Sequence, residues 1–169
     1  MISNWPAAFS AVIKHEGGWV HHKDDPGGIT NLGVTRRVWE EWTGMPASDH
    51  NMRGLTVEKV LPLYRARYWS PIGGDELPGG VDYAVFDLAV NSGVRRASLI
   101  LQEVLGVTAD GSIGPKTLQA TKGVPPGSLI DSICDRRMEF LRSLPHFATF
   151  GYGWTRRVSD VRREAKRMA

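Results

Sequence analysis

Residues 79–93 read GGVDYAVFDLAVNSG, and the class of fold follows from them. Two glycines open the stretch and a third closes it. Between them Val81, Ala84, Val85, Leu88 and Ala89 recur at i, i+3, i+4, i+7 and i+8, the spacing of one apolar helix face. On the other side Tyr83, Asp87 and Asn91 are spaced by four, so their side chains form one polar stripe. The same period appears on both sides. Upstream, Asn4 stands where it would cap a first helix, with Pro6 in its opening turn, Phe9, Val12 and Ile13 on one face, and Gly17 and Gly18 as its stop. Thr35 opens a short helix carrying Val38, Trp39 and Trp42 that Gly44 closes, and Thr56 opens another through Tyr64 and Trp69 with a kink at Pro62. Downstream, helices are expected over 95–105, 115–121 and 128–144, and Trp154, Val158, Val161, Ala165 and Met168 mark a last amphipathic one. No long run alternates with period two, so the chain is read as mainly α. Residues 19–34, after the first helix, form a short irregular or β-hairpin segment.

Composition narrows the possibilities. The chain has 169 residues, 41% hydrophobic and 23% charged, which fits one domain or two small lobes and argues against disorder or fibre. At this length a fold hides roughly 70% of the surface its unfolded chain exposes, enough for a core without staples. Cys134 is the one cysteine, and His15, His21, His22, His50 and His146 lack cysteine partners at zinc spacing, so neither a metal nor another cofactor is expected. No apolar run approaches the roughly 20 residues of a membrane span. Met1–Ser10 has no basic n-region, and Lys14, His15 and Glu16 follow too early for an apolar core, so synthesis in the cytoplasm without a signal peptide is expected. Net charge is +3, unevenly placed: from Arg136 onward nine Arg and Lys face three acids. A basic C-terminal helix of this kind suits an anionic cell envelope or simply keeps the chain in solution.

The chemistry concentrates in residues 15–35, HEGGWVHHKDDPGGITNLGVT, dense in glycine and holding three acids. Glycines at that density allow positive φ and close backbone approach, at an entropic cost that calls for a reason. Glu16 falls at the end of the first helix, where the negative pole of the helix dipole and the neighbouring Trp19 favour the protonated acid, as a general acid requires. The plain alternative is a solvated surface glutamate. Asp24 and Asp25 follow eight and nine residues later, and paired carboxyls flanking a cleft are what glycosidic cleavage uses. Asp25 is the stronger candidate because Pro26-Gly27-Gly28 fixes its backbone, although an Asp before Pro-Gly also simply forms turns. Thr30 and Asn31 add a hydroxyl and an amide suited to water or a sugar N-acetyl group.

The run HEGGW…DPGGITNLGVT resembles the signature of glycoside hydrolase family 108, bacterial and phage N-acetylmuramidases of the lysozyme and endolysin type. In that family a Glu-Gly-Gly-aromatic motif at the end of the first helix carries the catalytic glutamate, which implies Glu16 as the acid. FDLAVNSG, residues 86–93, resembles the family's second block and implies that Asp87 and Asn91 lie near the cleft. Trp19 stands where tyrosine is usual, and Leu32 where an aromatic is common. The order Glu16, Asp25, Thr30 also resembles the catalytic trio of tailed-phage lysozymes, implying that Asp25 and Thr30 manage water. LGVTADGSIGPKT, residues 105–117, is similar to the turn of small helical peptidoglycan-binding modules, and FGYGWTRR resembles their companion region; a plain helix-turn-helix corner is the alternative.

The resemblance implies a lysozyme-like, two-lobed helical fold, with residues 1–94 catalytic and 95–169 a helical, peptidoglycan-binding-like lobe. It implies hydrolysis of the β-1,4 bond between N-acetylmuramic acid and N-acetylglucosamine in peptidoglycan. Glu16, Asp25 and Thr30 are then catalytic, and Trp19, Asn31, Tyr83, Asp87 and Asn91 substrate-binding. Among the other aromatics, Trp69 and Tyr152 are groove candidates, and Trp39, Trp42 and Trp154 core candidates. The expected partners are peptidoglycan glycan strands and the anionic cell envelope, with no specific nucleic acid and a monomeric state. The site of action is the cell wall (periplasm) after release; the stereochemical outcome, retaining or inverting, depends on the separation of the two carboxyls, and the likeness to phage lysozymes favours inversion. Two other readings are a non-catalytic peptidoglycan-binding module and a basic nucleic-acid binder whose affinity falls steeply with salt.

Overall fold

The computed structural model describes residues 4–21 and 29–169, and it is mostly helical. In chain order the elements are α1 (Trp5–Glu16), β1 (Val20–His21), β2 (Ile29–Asn31), β3 (Val34–Thr35), α2 (Arg36–Thr43), α3 (Asp49–Arg53) and α4 (Val57–Tyr64). A π-helical segment, Arg65–Trp69, precedes α5 (Val81–Ser92), α6 (Val94–Leu105), α7 (Pro115–Thr121), α8 (Pro126–Arg142) and α9 (Phe147–Met168). They form two compact units, Phe9–Ala66 and Met1–Ala8 with Arg67–Ala169. The chain passes from one to the other inside α1 and again inside the π-helical segment.

The smaller unit carries the sheet, antiparallel in the order β1-β2-β3, with Thr30 opposite both Val20 and Thr35. Leu32 and Gly33 join β2 to β3 at φ +50° and +74°, the two left-handed positions of a type I′ hairpin turn. Helix starts follow the capping residues. Thr35 Oγ1 accepts from Val38 N at 3.3 Å, Ser48 and Asn51 form a capping box, and Gly44 ends α2 in the left-handed conformation. The kink expected at Pro62 takes another form. α4 runs through the proline, which has no N–H to offer, and the helix then widens into its π-helical turn. Phe9 and Tyr64 meet edge to face with centroids 5.6 Å apart, among the buried Val12, Ile29, Val34, Met52, Val60 and Leu63. Trp42, expected in a core, lies on the exposed surface of α2.

In the larger unit α5 is the buried centre, its residues from Val81 to Ala89 all covered, with α6, α8 and α9 packed against it. Trp5, Trp69 and Phe86 pack together with centroids 5.2 to 5.5 Å apart, and Trp69 Nε1 donates to Asp75 Oδ1. Trp69 is therefore a core ring, not the groove ring expected from the sequence. Gly80, at φ +77°, lies so close to α9 that a Cβ there would stand 2.2 Å from the Ala165 carbonyl. α1 begins at Trp5, directly after Asn4, whose Nδ2 reaches the Met168 carbonyl at 3.5 Å. α9 begins two turns earlier than expected, at Phe147. Gly151 and Gly153 interrupt the apolar period there, and the Phe147 ring fills the space beside Gly151. Many α9 cations are paired: Arg162 with Asp131 and Asp135, Lys166 with Asp131, Arg163 with Asp160 and Arg167 with Glu164.

Candidate active site

Glu16 is the last residue of α1 and is half-buried. The hairpin tip is seated against it. A Cβ on Gly33 would stand 2.8 Å from Glu16 Oε2 and 2.4 Å from Tyr64 Oη, so the site leaves room only for hydrogen. Tyr64 Oη donates to the Leu32 carbonyl at 2.9 Å, and the Tyr64 ring rests on Phe9 of the same helix that ends in Glu16. This bond holds Leu32 in a left-handed conformation that costs a non-glycine residue about 1 kcal/mol. The acid, the turn and the tyrosine thus form one rigid group.

Thr30 is half-buried in β2. Asn31 is only 7% exposed, and its Nδ2 donates to the Met52 carbonyl at 2.9 Å, tying the end of α3 to the sheet. The amide expected to bind sugar is thus engaged inside the protein. α3 in turn presents Arg53, whose guanidinium lies 4.6 Å from the Trp19 ring centroid, so Trp19 is half-buried beneath a cation–π contact. Asp25, with Asp24, lies outside the described residues.

The polar stripe of α5 is not a cleft wall. Asp87 has 0% exposure; Arg137 Nη1 donates to its Oδ2 at 2.7 Å, and Arg157 Nη2 to its Oδ1 at 2.8 Å. Burial works against the charge, but the two guanidinium groups outweigh it and hold the Asp87 carboxyl below the usual carboxylate range. Tyr83 is also buried, and desolvation together with the Asp87 charge pushes its hydroxyl well above the ordinary tyrosine range. Neither residue can touch a sugar, which corrects the substrate-binding roles expected for them. Asn91, one turn further on, reaches the surface, and its Oδ1 accepts from Arg137 Nη2 at 3.3 Å.

A family model described as Glycosyl hydrolase 108 matches residues 9–93, which include Glu16 and the turn that holds it. The solved structure of Brucella abortus SagA is similar at 43% identity and a TM-score of 0.87, covering 98% of this chain and 95% of that one. The chain belongs to glycosyl hydrolase family 108. A second model, described as Predicted Peptidoglycan domain, matches residues 96–159 of this family 108 chain. No curated protein matches. Family membership makes the protein a glycoside hydrolase of lysozyme-like, mostly helical fold, and the second match makes peptidoglycan its partner.

Within the family 108 segment, sequence reasoning missed Tyr64, Leu32, Gly33 and Arg53. The Asn-Leu-Gly-Val stretch between two short β-prone runs carried a hairpin signal, but nothing in the spacing linked it to Tyr64, 32 residues from Leu32.

Proposed function

We propose that the chain is an N-acetylmuramidase (lysozyme) that hydrolyses the β-1,4 bond between N-acetylmuramic acid and N-acetylglucosamine. Glu16 protonates the bridging oxygen, Asp25 orients water or balances the developing positive charge at the sugar, and Thr30 helps to place the water, with inversion at the anomeric carbon. One observation carries the reading: a carboxyl at a helix end, packed against a turn whose Gly33 admits no side chain. That is the preorganisation a proton donor needs, because a group held within tenths of an ångström spends no energy on finding its place. In this reading residues 1–94 supply the catalytic groups, 95–169 form the helical lobe, and Trp19 is a sugar contact beside Glu16. The protein acts as a monomer on the cell wall, after release from the cytoplasm, in host-cell lysis. The basic α9 draws it to the anionic envelope, with a field weakened by the acids its cations already face.

Glu16→Gln tests the assignment. Release of reducing ends from purified peptidoglycan should fall at least about 100-fold while the melting temperature stays put. Borohydride reduction of the wild-type products should yield muramitol ends. Undiminished release by Glu16→Gln, or glucosaminitol ends in place of muramitol, would overturn the reading.

A further inference from the structure

The peptidoglycan match fixes no binding site, but the loop between α6 and α7 has the makings of one. Gln102, 1% exposed, knots this loop from inside. Its Oε1 accepts from Gly111 N at 2.8 Å, and its Nε2 donates to Asp110 Oδ1 at 2.8 Å and the Ser112 carbonyl at 3.0 Å. Gly106 and Gly111, at φ +65° and +82°, make the tight bends the knot requires. A loop stitched to a buried amide is preformed, so a ligand meets it without an ordering cost. It borders an open cavity of about 770 Å³, a size suited to a small ligand or a short peptide.

The lining says which part of peptidoglycan fits. It includes Val107, Thr108, Asp110, Pro115 and Lys116, and no aromatic ring on which a pyranose face would stack. It does offer both signs of charge. The exposed Asp110 carboxyl is kept below the usual carboxylate range by the hydrogen bonds from Gln102 and from Ser112 N. Lys116 supplies an ammonium, and the Arg95 guanidinium lies along Gly111. Glycan strands present hydroxyls and acetamides and no cation. The short stem peptides attached to them carry free carboxylates and the amino group of a diamino acid.

We propose that this cavity is a docking site for the stem peptide of peptidoglycan, the peptide's carboxylates meeting Lys116 and its amino group meeting Asp110. The site rests on peptidoglycan being the partner and is independent of whether Glu16 cleaves the glycan. It gives the C-terminal segment a grip on peptide-bearing strands that bare glycan does not satisfy.

The test uses the full chain carrying Glu16→Gln, so that nothing is digested, with amide NMR titrations against a synthetic stem tetrapeptide and against a tetramer of N-acetylglucosamine. With the tetrapeptide, the amides of Gly106, Gly111, Gly114 and Lys116 should shift; with the sugar they should stay. Lys116→Glu should weaken tetrapeptide binding about tenfold, and Thr108→Trp, which fills the cavity from an exposed position, should abolish it with the melting temperature kept. Tetrapeptide that leaves these amides unmoved, sugar that shifts them equally, or variants that bind like the parent would overturn the proposal. Reducing-end release by the wild type is read separately, so failure of the docking site and failure of the muramidase reading cannot be confused.

Discussion

At Gly33 two demands fall on one residue. Its φ of +74° disfavours any L side chain, and the space where a Cβ would go is already bounded by Glu16 and Tyr64. Gly33→Ala should therefore cost about 1–2 kcal/mol in urea denaturation from backbone strain alone. Activity should fall further than that, by roughly 100-fold, because relieving the contact moves either the carboxyl or the hairpin by about an ångström. If release of reducing ends drops no more than stability explains, the turn does not position the acid. The glycine density of residues 15–35 marked the segment as functional in the sequence. Which glycine presses on Glu16 was not legible, because the answer depends on Tyr64, which approaches from a distant helix.

At the level of elements, sequence and structure agree where short-range chemistry decides. The caps at Thr35 and Thr56, the stop at Gly44 and the helical period of residues 81–92 all stand as read. They part where packing decides. α3 has only five residues and no period to detect, yet Asn31 depends on it. Asn31→Ala should cost about 1 kcal/mol, since it removes the shortest donor to the buried Met52 carbonyl and leaves it the longer contact from Leu55 N at 3.4 Å. The loss should appear as a lower urea midpoint together with faster amide exchange in α3. The stripe on α5 is polar and aligned, as its spacing predicts, but spacing within one helix says nothing about which neighbour the stripe faces. Here it faces two arginines 50 and 70 residues away, and that made an internal ion pair look like a cleft wall.

For the molecule as a whole, two buried carboxylates respond to pH in opposite directions. Loss of water pushes the Asp82 carboxyl up to about 6, so the folded chain holds that proton more tightly than the unfolded one. Its contribution to stability is greatest below about pH 4 and declines as pH rises to 6. Asp82→Asn should remove that decline: relative to wild type, its urea midpoint should gain between pH 4 and pH 6 and then hold constant. Asp87 works the other way. Its carboxyl is held low, so its contribution is complete above about pH 4 and is lost on further acidification. Asp87→Asn should cost about 3–5 kcal/mol at pH 7, because Arg137 and Arg157 are left without their counter-charge. A variant that melts like wild type would show the cluster to be dispensable.

The same cluster limits how such enzymes can be recombined. The sequence invites a cut near residue 94 and a graft of the first part onto a foreign targeting module. Such a chimera would strand the Asp87 carboxylate in an apolar setting, since Arg137 and Arg157 both lie beyond the cut. A working hybrid has to bring along, or rebuild, a pair of guanidinium groups that reach the middle of α5, whatever else its new half is chosen to recognise.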